Sequence, residues 1–196
     1  MKIESWILAS ASPRRRELLA ELLESFEVIP AKGEESVEGD YPPEQLVQIL
    51  AREKALEIQR LIPDNNKGII GADTVVALDG RVLGKPKNEK EAAEMLQALS
   101  GRIHEVYTGV CMLYPTDSGC GVLMDVACTK VYFLPLTKEQ IDAYVATGSP
   151  MDKAGAYGIQ DGGLVKGIKG SYTNVVGFPL ELVEKMIRKA EKNWDD

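Results

Sequence analysis

Residues 68–78 read Gly-Ile-Ile-Gly-Ala-Asp-Thr-Val-Val-Ala-Leu, a β-branched, apolar run broken only by Asp73-Thr74 and followed by Asp79-Gly80. The run predicts a buried strand, and the Asp-Gly pair after it is a hairpin turn signal. Its polar pair needs a physical reason, because an ionised carboxylate in apolar surroundings costs several kcal/mol unless a metal or a cation meets it. The natural home for such a residue is a strand end that faces a cleft.

The rest of the chain alternates strands with helices. Residues 5–9 predict a short buried strand, after which Ser12-Pro13 supplies an N-cap and a first helical position. The helix that follows is expected to reach about residue 24, with Leu18, Leu19, Leu22 and Leu23 on one face. A second strand is expected at 26–30, then an acidic loop holding Glu34 and Glu35. Pro42-Pro43 opens a helix with Leu46, Ile49, Leu50, Ala55, Ile58 and Leu61 on its inner side. Asn88 with Glu91 starts a third helix and Gly101 stops it. Residues 104–114 and 122–134 read as an antiparallel pair, Thr137 caps a helix to about 147, and a glycine-rich segment, 148–170, leads to a short strand and a final amphipathic helix over 179–192. This order predicts an α/β fold: a mixed, largely antiparallel, extended and twisted sheet flanked by helices. The chain is expected to form a single domain, 1–196, whose two lobes flank a cleft near the loops at 80–88 and 148–155.

Composition excludes several alternatives. With 196 residues, 44% apolar and 27% charged, the chain is too apolar for a disordered one and long enough to bury a core without disulfide or metal. No apolar run approaches the roughly 20 residues that cross a bilayer, and the stretch near the N-terminus is too short for a signal peptide, so a cytoplasmic location is expected. Three cysteines without CxxC spacing and one histidine, His104, do not make a thiolate–zinc site. A net charge of −7 disfavours nucleic acid as a partner. An anionic ligand must therefore be held by a local cluster.

Such a cluster is present in Ser10-Ala11-Ser12-Pro13-Arg14-Arg15-Arg16, between strand and helix: free N–H groups, hydroxyls and guanidinium forks all favour a phosphate chain, and cations at a helix N-terminus are otherwise unfavourable. Asp73, together with a carboxylate from the Glu34-Glu35 pair, fits a hard divalent cation; Glu35 is the preferred second ligand. Lys54 and Lys85 add ammonium groups, the latter held between Gly84 and Pro86. The loop Asp152-Lys153-Ala154-Gly155-Ala156-Tyr157-Gly158-Ile159-Gln160 is small enough to approach a flat ring, and Gln160 offers the donor and acceptor that read the edge of a pyrimidine. His104 reads as structural.

Six ordered segments, namely the Ser10 cluster with Leu18-Leu19, Ala51-Arg52-Glu53-Lys54-Ala55, Gly71-Ala72-Asp73-Thr74-Val75-Val76, Gly84-Lys85-Pro86, Leu99-Ser100-Gly101 with His104, and the 152–160 loop, resemble the Maf family of nucleoside triphosphate pyrophosphatases over nearly the whole chain. The form of the last segment is similar to the branch acting on dTTP and UTP rather than the branch hydrolysing 7-methyl-GTP. The resemblance implies a two-lobed, Maf/ITPase-like α/β fold with a nucleotide-binding cleft, a divalent metal (Mg²⁺ or Mn²⁺) at Glu35 and Asp73, a cytoplasmic location and a homodimer. It implies Asp73 as proton acceptor, with Lys54, Lys85 and Glu35 beside it in the catalytic set. Ser10, Ser12, Arg14 and Arg15 are expected on the phosphates, and Arg14, Thr74 and Gln160 in base preference. The expected reaction is cleavage between the α and β phosphates to the monophosphate and pyrophosphate. The competing expectations are a preference for modified or purine nucleotides, and a nucleotide-sensing regulator of septum formation.

Overall fold

The computed structural model describes residues 3–33, 39–63, 66–117 and 119–192. Its centre is the sequence-predicted buried strand, here β3 (Lys67–Leu78), which turns through Asp79 and Gly80, both at positive φ, into β4 (Arg81–Leu83). Strand β1 (Ser5–Leu8) runs parallel to β3 on one side and to the short β2 (Glu27–Val28) on the other. On the far side β5 (Ile103–Thr116), β6 (Gly119–Phe133) and β7 (Val165–Lys169) follow antiparallel, so the order is β2-β1-β3-β5-β6-β7 with β4 on β3. The mixed, mostly antiparallel sheet expected from the sequence is the sheet observed.

Helix α2 (Pro43–Leu61) lies across one face of β3 and β5 at close range. Glycine makes that approach possible: a Cβ on Gly71 would stand 2.1 Å from the Ala51 carbonyl oxygen, and one on Gly109 2.4 Å from that of Val47. The buried stripe of α2 is accordingly Val47, Leu50, Ala51, Ala55 and Ile58. Three of the inward residues expected from periodicity are corrected: Leu46 and Ile49 are half-buried, and Leu61, in the last turn, is 63% exposed.

The opposite face carries two cores. One gathers Leu8, Ile70, Ala72, Val110 and Met112 with Leu19 of α1 (Pro13–Leu19) and with Phe178, Val183 and Met186 around α6 (Leu180–Lys192). The other gathers Val76, Leu78 and Val106 with α3 (Glu89–Leu99) and α4 (Lys138–Val145). Alternation along β3 sets Ile70 and Ala72 in the first core and Val76 and Leu78 in the second, which leaves Thr74 at their boundary.

Two further expectations are corrected. Helix α1 ends at Leu19 instead of about residue 24, because the backbone tightens into turns there, with Glu21 N–H on Leu18 O and Leu22 N–H on Leu19 O; Leu22 and Leu23 still pack on the first core. The last strand lies inside the glycine-rich segment, as β7, and the stretch after Gly170 is helical, α5 (Tyr172–Val176). Gly170 at φ 135° ends the strand, the Ser171 hydroxyl accepts from Asn174 N–H at 3.2 Å, and Gly177 at φ 115° closes the turn. No helix among the described residues is long and apolar enough to cross a membrane.

Candidate active site

A cleft of about 1040 Å³ opens over the C-terminal end of β1 and the middle of β3. Into it project the Ser10–Arg15 segment, Lys54 from α2, Asp73 and Thr74 from β3, Lys85 from the β4–α3 connection, and the loop ending at Gln160. Every described residue expected in the catalytic, phosphate-binding and base-preference sets therefore lines one cavity, whereas Arg16 and His104 do not. Glu34 and Glu35 lie outside the described residues.

Asp73 occupies a position on β3 whose side chain faces α2, and it is 7% exposed. The costly carboxylate has its cation, since Lys54 Nζ donates to Asp73 Oδ1 at 2.6 Å. The pair is nearly buried, with side chains 14% and 9% exposed, so solvent screens it weakly. Asp73 Oδ2 takes no hydrogen bond from the described residues.

The helix start is built as its sequence implies. Ser12 Oγ caps α1 by accepting from Arg15 N–H at 3.4 Å, and Ser10 Oγ accepts from Ser12 N–H at 3.2 Å. Arg14 reaches across the cleft mouth to Asp152, Nη1 to Oδ2 at 3.1 Å. Burial pushes the Asp152 carboxyl up, but the Lys153 ammonium and the Arg14 guanidinium outweigh it and hold the group below its ordinary value. Arg15 turns the other way. Its Nε donates to Gly177 O at 2.9 Å, Nη1 to Ala72 O at 2.8 Å and to Ser10 Oγ at 3.4 Å, and Nη2 to Thr74 Oγ1 at 3.1 Å. The guanidinium expected on phosphates thus spends most of its five N–H groups on protein acceptors, and it brackets Asp73 through both chain neighbours.

Thr74 shares in this arrangement: its hydroxyl is 2.9 Å from that of Thr108 and 3.3 Å from Gly177 O. Neither Gly177 nor Thr108 carries a signal that sequence reasoning picked out, since one contributes a backbone carbonyl and the other is a threonine in a strand. Asp152 carries no signal of its own in the sequence; its pairing with Arg14, 138 positions away, is visible only in three dimensions.

The remaining wall is held rigidly. Gly155 N–H donates to Gly84 O at 3.0 Å, next to the exposed Lys85, and Gly155 has φ 68° with no room for a Cβ beside Val76. Tyr157 is buried, its hydroxyl 2.7 Å from His104 Nε2, and the two rings with Phe133 form an edge-to-face trio. Burial lowers the His104 pKa to about 4, so this imidazole is neutral and structural, as expected. Tyr144 OH accepts from Gly158 N–H at 3.0 Å and donates to Asp161 Oδ2 at 2.5 Å, which fixes the turn on which the exposed Gln160 stands.

Fold and cleft together define an α/β protein whose mixed sheet carries a buried carboxylate–ammonium pair facing a cationic loop. The chain belongs to the Maf-like family: the family model for Maf-like protein matches residues 5–190. Among curated relatives, a dTTP/UTP pyrophosphatase of Thermococcus gammatolerans is 50% identical over 92% of this chain and 94% of its own, and one of Moorella thermoacetica is 51% identical over 92% of each. A dTTP/UTP pyrophosphatase of Clostridium perfringens is 45% identical over 96% of each chain. Among solved structures, a nucleoside-triphosphatase / dITP/XTP pyrophosphatase from Mycobacterium abscessus aligns with 74% of this chain and 95% of its own at 19% identity and a TM-score of 0.41.

Proposed function

We propose that the chain hydrolyses pyrimidine nucleoside triphosphates, dTTP and UTP, between the α and β phosphates. The observation that carries this reading is the Lys54–Asp73 pair, a carboxylate poised in the cleft and faced by hydroxyls and cations. The names of relatives at about half identity supply the substrate. In the reaction a water oxygen attacks the α phosphorus, the bond to the bridging oxygen of the β phosphate breaks, and pyrophosphate leaves. Asp73 accepts the water's proton, through the oxygen that Lys54 does not hold. Lys54 fixes the carboxylate's orientation, and Ser10, Ser12, Arg14 and Lys85 bind the phosphates and the charge that grows on the leaving group. Arg15 and Thr74 position Asp73 from behind. Gln160 reads the base edge.

A divalent cation fits this donor set. The Asp73 carboxylate lines the cleft, and Mg²⁺ at phosphates is ordinarily held by one or two carboxylates, with substrate oxygens and water completing its shell. Asp73, with Glu35 of the segment outside the described residues, would hold the ion jointly with the nucleotide. When bound it supplies charge screening on the phosphates and a more acidic water. A cytoplasmic nucleotide pool is the source of substrate this reading requires.

Incubating the protein with a panel of ribo- and deoxyribonucleoside triphosphates, with Mg²⁺, Mn²⁺ or chelator, and weighing the products tests it. Monophosphate and pyrophosphate from dTTP and UTP, abolished by chelator, are expected. Release of inorganic phosphate, or turnover confined to purine nucleotides, contradicts it.

A further inference from the structure

Between Tyr144 and Asp161 the side chains form a continuous run of hydrogen bonds that no step of the reaction uses. Lys153 stands at its centre. Its side chain is 14% exposed, and Nζ donates to Ser149 O at 2.6 Å, to Ser149 Oγ at 3.0 Å and to Asp152 Oδ1 at 2.8 Å. An ammonium has three donors, so this lysine lines the cleft with every N–H already placed on the protein. Ser149 Oγ carries the run onward by donating to Asp161 Oδ2 at 2.6 Å, where the Tyr144 hydroxyl also donates, and Tyr144 in turn takes Gly158 N–H. Gln160 lies between Gly158 and Asp161, so its turn is held at both ends. From the opposite side Asp152, itself met by Arg14 across the cleft mouth, anchors the ammonium.

Burial pushes the Asp161 carboxyl up, but the hydroxyls of Ser149 and Tyr144 and the Lys153 ammonium outweigh it and hold the group below its ordinary value. It is therefore ionised and acts as an acceptor only. Packing is equally close: a Cβ on Gly158 would stand 2.8 Å from Lys153 Cε and 3.0 Å from Asp161 Oδ2, so the lysine stem and the carboxylate close directly over the backbone that leads to Gln160. Exposed ion pairs contribute little. This cation is nearly buried, and without it Asp152 and Asp161 would face each other with no ammonium between them.

We propose that Lys153 is a positioning residue for base selection: through Ser149, Asp161 and Gly158 it fixes the turn from which Gln160 reads the base, a role that rests on the cleft being a pyrimidine nucleotide site. Discrimination between bases then depends on a lysine that touches neither base nor phosphate.

Equilibrium affinities for non-hydrolysable dTTP and dATP analogues test this without turnover. Lys153→Met keeps the stem over Gly158 and removes the ammonium; it is expected to cut the dTTP-to-dATP affinity ratio by about tenfold or more, chiefly by weakening dTTP. Tyr144→Phe and Ser149→Ala each remove one hydroxyl and no charge, and should lower the same ratio by about threefold. Circular dichroism shows which variants are folded, and the two hydroxyl variants carry the test should Lys153→Met not fold. The cycle with Gln160→Ala separates positioning from loop stability. Once Gln160 is gone, Lys153→Met and the hydroxyl variants should change the ratio by less than about twofold. A discriminating parent whose ratio survives all three substitutions, or an equal drop in the Gln160→Ala background, would overturn the proposal and leave the pyrimidine reading intact. A parent that binds both analogues alike would contradict the pyrimidine reading and the proposal with it.

Discussion

Lys54 and Asp73 are 19 positions apart and meet at 2.6 Å because α2 is pressed onto β3. Removing the cation strands a carboxylate that is nearly buried: Lys54→Met is expected to cost about 3–5 kcal/mol and to abolish turnover, read by urea unfolding and by product assay. Arg15 separates a holding role from a phosphate-binding one. If it positions Asp73, Arg15→Lys lowers kcat by about 100-fold and leaves pyrophosphate affinity within about threefold, whereas a phosphate ligand would lose affinity for pyrophosphate as its main effect. His104 gives a pH signature. Its folded pKa is about 4 against an ordinary 6.5, so the unfolded chain binds the extra proton between those values. The stability it contributes is complete above pH 6.5 and is lost as pH falls toward 4, by about 3 kcal/mol at most. Urea midpoints at pH 7.5 and 5 should converge in His104→Gln relative to the parent.

At the scale of elements, the glycines at the α2–sheet contact decide how far Lys54 stands from Asp73. Gly71→Ala places a methyl group 2.1 Å from the Ala51 carbonyl oxygen, which neither backbone can accommodate without moving the helix. Stability and activity should fall together, by about 1–3 kcal/mol or more in unfolding free energy, as in other overpacked contacts. The strands were legible from composition because β3 and the β5–β6 hairpin are long and β-branched, and the caps at Ser12, Asn88 and Thr137 mark their helices as expected. What escaped was decided by contacts distant in sequence. The leucine spacing after Leu19 is helical, yet the chain turns there to reach β2. The valines of α5 suit a strand, but Ser171 and Gly177 cap a helix around them. In the site, Asp73 and Lys54 stood out by residue type, while the clamp on Arg15 uses the carbonyls of Ala72 and Gly177, which no sequence pattern distinguishes.

The whole molecule divides its cores on one face of the sheet, and the polar layer between them, Arg15, Thr74, Thr108 and Asn174, lies behind the cleft. We propose that these two cores correspond to the two lobes expected from the sequence. Binding to the folded state alone stabilises it by mass action, so a non-hydrolysable dTTP analogue at 100 times its Kd should add about 2.7 kcal/mol and raise Tm by roughly 5–10 °C. Gln160→Ala should shrink the difference in that shift between pyrimidine and purine analogues. In the proposed reaction Asp73 is the group that takes the proton. Measuring kcat for dTTP and the Kd of its non-hydrolysable analogue in Asp73→Asn tests this most directly: turnover should fall about 1000-fold or more with affinity kept within about tenfold, and near-normal turnover would contradict it.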